Sequence, residues 1–145
     1  MYLDTAYLAK LYILETDSAA VRDLVSDVEW IVSCGHARLE LAFMLHRKMR
    51  EGALRPAEFK LLFDQIESDI SSGLIRMFPV SEALLATAFA SAKSLSPKIF
   101  LRASDALHLV CAKEHGFREI YSNDKHLLAA AKHFGLKPRN IINPT

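Results

Sequence analysis

Four acids stand where carboxylates could do metal chemistry: Asp4 after the apolar run "MYL", Glu40 one turn into a helical pattern, and Asp105 and Asp124 at helix starts. An acid at the end of a strand in a parallel α/β sheet faces the crevice in which such sheets bind ligands. Glu40 has Ala37, Phe43 and Met44 at helical spacing, and Asp105 has Leu101, His108 and Leu109, so both acids are expected to be partly buried. Carboxylates gathered away from water repel one another, and some take up protons unless a cation compensates. All-oxygen donors favour a hard divalent ion, Mg2+ or Mn2+, which keeps several waters and accepts phosphate oxygens. Singly, each acid has a plainer explanation: dipole-favoured helix starts worth about 0.3–1 kcal/mol for Asp105 and Asp124, an ion pair for Glu40, and turn amides for Asp4. The joint pattern is what points to a metal.

The elements that must position these acids alternate. "MYLD" reads as a strand leading into the helix "TAYLAKLYIL", which Thr5 could cap. Thr16-Asp17-Ser18 offers a cap for a segment ending near Asp27, and "WIVSC" has the composition of a buried strand. Helices are expected from His36 to Arg50, stopped by Gly52, and from Pro56 to about Ser71. "LIRMFPV" is a third strand, and a helix opens at Ser81-Glu82 and runs to about Lys93. After the loop "LSPKIFLRA" come a helix from about Ser104 to His115, a fourth strand "EIYS", the helix "NDKHLLAAAKHF" ended by Gly135, and a fifth strand at "NII". The expected fold class is α/β: three layers, α/β/α, with a central, mostly parallel sheet of four to five strands and right-handed crossovers. Helices following strands begin at one edge of such a sheet, so Asp4, Glu40 and Asp124 can converge there. Asp105 begins the helix that enters strand four, normally at the opposite edge, and only the long loop before it could bring it back.

With 145 residues and 51% hydrophobic content, the chain is expected to be one domain, 1–145, with one substantial core. It has no apolar run of the roughly 18 residues a membrane helix needs and no signal-peptide pattern, so the expected compartment is the cytoplasm. Cys34 and Cys111 lack metal-ligand spacing and read as buried free thiols. Eighteen Lys and Arg against 17 Asp and Glu announce no polyanion partner overall, so nucleic-acid contacts must be local. The densest basic patch, His46-Arg47-Lys48-Met49-Arg50, also suits a solvated helix end. His36, His108 and His126 lie near the acids in sequence, but Ser122 lacks the glycine-flanked elbow of a serine hydrolase. His108 reads as a packed core histidine and His126 as a surface residue beside the site.

The segments "YLDTAYLAKLY", "LELAFML", "RASDALHLVCAKEHG" and "YSNDKHLLAAAKHFGL" together resemble the PIN-domain nucleases, most closely the VapC-type toxins of toxin-antitoxin pairs. The resemblance spans the chain from Asp4 to near Ile142. It implies an acidic pocket holding Mg2+ or Mn2+ on Asp4, Glu40, Asp105 and Asp124, with Thr5, Ser122 and Asn123 as supporting polar groups. It further implies hydrolysis of RNA phosphodiesters to 5′-phosphate and 3′-hydroxyl ends, a cognate antitoxin and a homodimer. Arg47, Arg102 and Lys125 are the candidate RNA contacts. The alternative is a PIN-like binding module whose acidic pocket holds an arginine-rich partner without cutting RNA, since carboxylates pair well with guanidinium. A phosphatase-like α/β enzyme fits less well, because Asp4-Thr5 lacks the second aspartate of an Asp-x-Asp motif.

Overall fold

The computed structural model describes residues 1–142. At its centre, Tyr2 and Leu3 form single parallel bridges to Val32 and Tyr121 respectively. Leu3 N–H donates to the Val32 carbonyl at 3.0 Å, and Tyr121 N–H donates to the Tyr2 carbonyl at 3.1 Å. On one side lies β1 (Ile31–Cys34), paired in parallel with β2 (Ile75–Phe78). On the other lies β3 (Glu119–Tyr121), paired in parallel with β4 (Lys137–Arg139). The spatial order is therefore β2, β1, residues 2–3, β3, β4. The expected sheet is realised as two parallel pairs joined through a central two-residue link, and the strand order reverses beside that link, where doubly wound sheets take ligands.

Alternation along these short strands separates two cores. Tyr2, Val32, Cys34 and Ile120 pack with Leu84, Leu109 and Leu127, so α5 (Glu82–Ser91), α6 (Ala103–Glu114) and α7 (Lys125–Ala131) cover one face. Leu3, Ile31 and Ile75 pack with Tyr7, Val21, Leu41 and Ile66, so α1 (Thr5–Tyr12), α2 (Ser18–Val25), α3 (His36–Arg50) and α4 (Pro56–Ser71) cover the other. The result is the α/β/α layering, with every residue of β1 buried. Cys34 and Cys111 are buried free thiols. No helix among the described residues is long and apolar enough to cross a membrane.

Three local expectations change. Asp4, rather than Thr5, caps α1: its backbone is extended and its Oδ1 accepts the Tyr7 N–H at 2.9 Å. The helix from Ser81 stops at Ser91 instead of near Lys93. The last strand is Lys137–Arg139, ahead of "NII". Asn140 Oδ1 accepts from the Tyr7 hydroxyl at 2.7 Å and from Ile142 N–H at 3.1 Å, so a side chain, in place of a strand ladder, holds that segment. Pro138 is tolerated because β4 pairs only with β3 among the described residues and lies at the sheet edge.

The connection to α6 decides where Asp105 goes. Residues 92–102 form an irregular loop between α5 and α6. At roughly 3.3 Å per extended residue it can climb the length of a helix rising about 1.5 Å per residue. It delivers the first turn of α6 to the carboxyl edge of the sheet, and α6 then descends to feed β3. Gly35, between β1 and α3, marks a second close fit: a Cβ there would lie 2.9 Å from the Phe78 carbonyl oxygen.

Candidate metal centre

Asp4, Glu40, Asp105 and Asp124 all line one cavity of about 540 Å³ at the carboxyl edge of the sheet. Asp4 and Asp124 arrive there for the same reason: each is the N-cap of the helix that follows a central strand. Asp124 Oδ1 accepts from His126 N–H at 2.7 Å and Leu127 N–H at 3.1 Å, which leaves Oδ2 directed into the cavity. Glu40 enters from the second turn of α3, and Asp105 from the first turn of α6.

The carboxylates are not equivalent electrically. Asp4 is only 4% exposed. Burial pushes its carboxyl up to about 6, opposed by the nearby His108 and by bonds from Ser122 and the Tyr7 amide, with the Asp105 charge adding to the rise. Glu40 moves the other way. Burial works against its charge, but the nearby His108, the Thr5 hydroxyl and His36 outweigh that and hold it down at about 2. Thr5 donates its hydroxyl proton to Glu40 Oε2.

Arg102 lies across the remaining two acids. Its Nε donates to Asp105 Oδ2 at 3.0 Å, and its terminal nitrogen pairs with Asp124 Oδ2. The guanidinium thus occupies the same carboxylates a cation would use, from a side chain that is 54% exposed. Arg47 lines the cavity from α3, along with Phe43 and Met44. Lys125 is exposed and is not among the lining residues.

The supporting polar groups fall into two sets. Thr5 lines the cavity. Ser122 and Asn123 are buried beneath it, and Ser122 Oγ accepts the Asp124 N–H at 2.9 Å, fixing the turn that presents Asp124. His108 is the packed residue its helix suggested, yet it also reaches the site: its Nε2 accepts the Thr5 N–H at 3.3 Å and lies 3.9 Å from Glu40 Oε2. His36 Nε2 lies 3.8 Å from the same oxygen. The sequence put both histidines near the acids without giving either a part in the site, although the spacing of His36 to Glu40 and of Asp105 to His108 places each on the face of its acid. His126 is half-buried against Phe100, with ring centroids 4.7 Å apart.

The donor set suits a hard divalent ion. Four carboxylates supply oxygen alone, burial raises the carboxyl of one of them to about 6, and a half-exposed arginine compensates two others. Such an ion would be held by Asp4, Glu40, Asp105 and Asp124, with Thr5 and Ser122 steadying the ligands.

Comparison with known proteins agrees with this architecture. The family model described as PIN domain matches residues 1–133. VapC20 of Mycobacterium tuberculosis, a sarcin-ricin loop-cleaving toxin, superposes with a TM-score of 0.71 at 16% identity, covering 89% of this chain and 93% of that one. FitAcB of Neisseria gonorrhoeae gives a TM-score of 0.68 at 20% identity, covering 96% of each chain. FitAB bound to the IR36 DNA fragment gives 0.66 at 18% identity, covering 96% of this chain and 93% of that one. No curated protein sequence matches. A central parallel sheet with acids gathered at its switch point, and a family match over almost the whole length, lead to one conclusion: the chain belongs to the PIN domain family.

Proposed function

We propose that this chain is a single-domain Mg2+- or Mn2+-dependent endoribonuclease, the toxin of a VapBC-type toxin-antitoxin pair acting in the cytoplasm. The observation that carries the reading is the meeting of Asp4, Glu40, Asp105 and Asp124 around one cavity whose rim holds two guanidinium groups, Arg47 and Arg102. Asp4, Glu40, Asp105 and Asp124 would be both the catalytic residues and the metal ligands. A bound ion would supply an acidified water and neutralise charge on the phosphate oxygens. The protein's own part is to orient and desolvate. Asp4 and Asp124 are pinned by their cap hydrogen bonds, Glu40 by Thr5 and His108, and the buried setting strengthens every charge interaction inside it. Arg47 and Arg102 would meet the phosphate groups of RNA, with Lys125 reaching the strand outside the cavity. Water attacks the phosphorus directly, with no covalent enzyme intermediate, leaving 5′-phosphate and 3′-hydroxyl ends. The VapC20 and FitAcB neighbours support a cognate antitoxin partner, and the reading includes a homodimer, as the resemblance to VapC-type toxins implies.

The test is cleavage of a panel of structured RNAs by purified protein with Mg2+ or Mn2+. Wild type cuts, EDTA stops it, and Asp4→Asn and Asp105→Asn are inactive; equal cutting by the variants would assign the activity to a contaminant. A second reading is favoured by one contact. Arg102 already bridges Asp105 and Asp124, so the cavity accepts a guanidinium, as a non-catalytic module holding an arginine-rich partner requires. That reading prevails if wild type cleaves no RNA while an arginine-containing peptide binds and Asp105→Asn abolishes the binding.

A further inference from the structure

Behind the oxygen-lined cavity lies a donor set of different chemistry. His36 and Glu40 are one turn apart on α3, and His108 approaches from α6. One ligand atom from each lies within 4.8 Å of the others, and both imidazole Nε2 atoms stand 3.8–3.9 Å from Glu40 Oε2. The imidazole rings converge, with centroids 4.3 Å apart and planes inclined at 55°.

Thr5 N–H donates to His108 Nε2 at 3.3 Å, and the far ring nitrogen, Nδ1, lies 3.2 Å from the Tyr2 hydroxyl. A metal-ligating histidine commonly has this arrangement, with the far nitrogen donating to a fixed oxygen that sets the tautomer. Thr5 Oγ1 donates its single proton to Glu40 and lies 3.0 Å from His108 Nε2. The 3.3 Å bond from the Thr5 amide is long and is the group a stronger Lewis acid would displace. His36 is 13% exposed at its side chain, and neither of its ring nitrogens finds a hydrogen-bond partner within normal geometry.

We propose that His36, Glu40 and His108 form a second cation site, for a borderline divalent transition metal of the zinc class, and that filling it withdraws Glu40 from the acid cavity. Imidazole nitrogen suits zinc, cobalt and nickel, whereas magnesium keeps to oxygen. Zinc bonds these donors at about 2.0–2.2 Å, which sets neighbouring ligands of a tetrahedron roughly 3.4 Å apart. The separations of 3.8 and 3.9 Å to Glu40 reach that value by side-chain adjustment. A water would complete the coordination on the cavity side. The effect on catalysis rests on the reading of the acid cavity given above; the binding itself does not.

The test compares Zn2+ and Mn2+ affinities of the full chain by calorimetry, with Co2+ as a spectroscopic probe of four-coordinate nitrogen and oxygen ligation. His36→Ala is the main variant, because His108 is 2% exposed in the core and its removal could unfold the chain. His36→Ala weakens Zn2+ by at least the ~10-fold that even an outer-shell partner costs, abolishes the cobalt spectrum and leaves Mn2+ within a factor of about two. Asp105→Asn does the reverse. Zinc affinity unchanged in His36→Ala, or lost with manganese in Asp105→Asn, overturns the proposal in favour of a plain histidine–glutamate ion pair. If wild type cuts no RNA yet shows a cobalt spectrum that His36→Ala removes, the nuclease reading fails while this site stands.

Discussion

Replacing Arg102 with glutamine should make the protein bind Mn2+ more tightly. The guanidinium of Arg102 donates to Asp105 Oδ2 at 3.0 Å and pairs with Asp124, two of the carboxylates proposed to hold the ion, so metal and arginine compete for the same oxygens. The side chain is 54% exposed, so full Coulomb energies do not apply. Exposed pairs are worth about 0.2–1 kcal/mol each, and two of them set a competition of roughly 0.4–2 kcal/mol. At 1.36 kcal/mol per tenfold, this is a gain in Mn2+ affinity of about two- to thirtyfold. Calorimetric titration of wild type and Arg102→Gln in low salt reads it directly. The gain should shrink as salt screens the wild-type pairs. The same variant should bind RNA more weakly, since it loses a phosphate contact, so metal affinity and substrate affinity move in opposite directions. Mn2+ affinity that is unchanged or weaker in Arg102→Gln would show that the guanidinium does not compete, and the account of the cavity's charge balance would fall.

Three other perturbations probe separate parts of the structure. Asp4 has its carboxyl raised from 3.8 to about 6, chiefly by burial, so between those values the folded chain binds more protons than the unfolded one and stability falls as pH rises through that window. Asp4→Asn removes the slope and should make the metal-free protein more stable at pH 7.5 by up to about 3 kcal/mol; denaturant melts across pH 4–8 showing an unchanged slope, or a less stable variant, refute it. Phe43 is 64% exposed at the cavity wall and offers a stacking face to an unpaired base; Phe43→Ala should weaken RNA binding by about 1–3 kcal/mol with Mn2+ affinity unaltered, and equal RNA affinity by fluorescence anisotropy would exclude stacking. Gly35→Ala puts a Cβ 2.9 Å from the Phe78 carbonyl and should cost about 1–3 kcal/mol in urea unfolding as the β2 end is pushed away; a neutral result would mean that this junction yields freely.

By itself the sequence settled what depends on neighbours along the chain. Pro56 opening α4, Ser81 accepting the Leu84 amide at the start of α5, and Gly135 in the left-handed region at φ 75° act within a few residues, so their letters suffice. The alternation of strand and helix also implied a parallel layered sheet, and with it a shared edge for Asp4, Glu40 and Asp124. Tertiary structure decided whatever depends on which distant segments meet. The loop of residues 92–102 returns α6 to that edge and admits Asp105, a path that no local preference encodes. Asn140 takes a hydrogen bond from the Tyr7 hydroxyl far up the chain, and the last strand lies ahead of it at Lys137–Arg139. Arg102 spanning Asp105 and Asp124, and His36 and His108 closing on Glu40, are likewise products of packing. The reason is one of range: caps and periodicity are energies of adjacent residues, whereas the charge balance of a cavity is set by groups that only folding brings within a few ångströms.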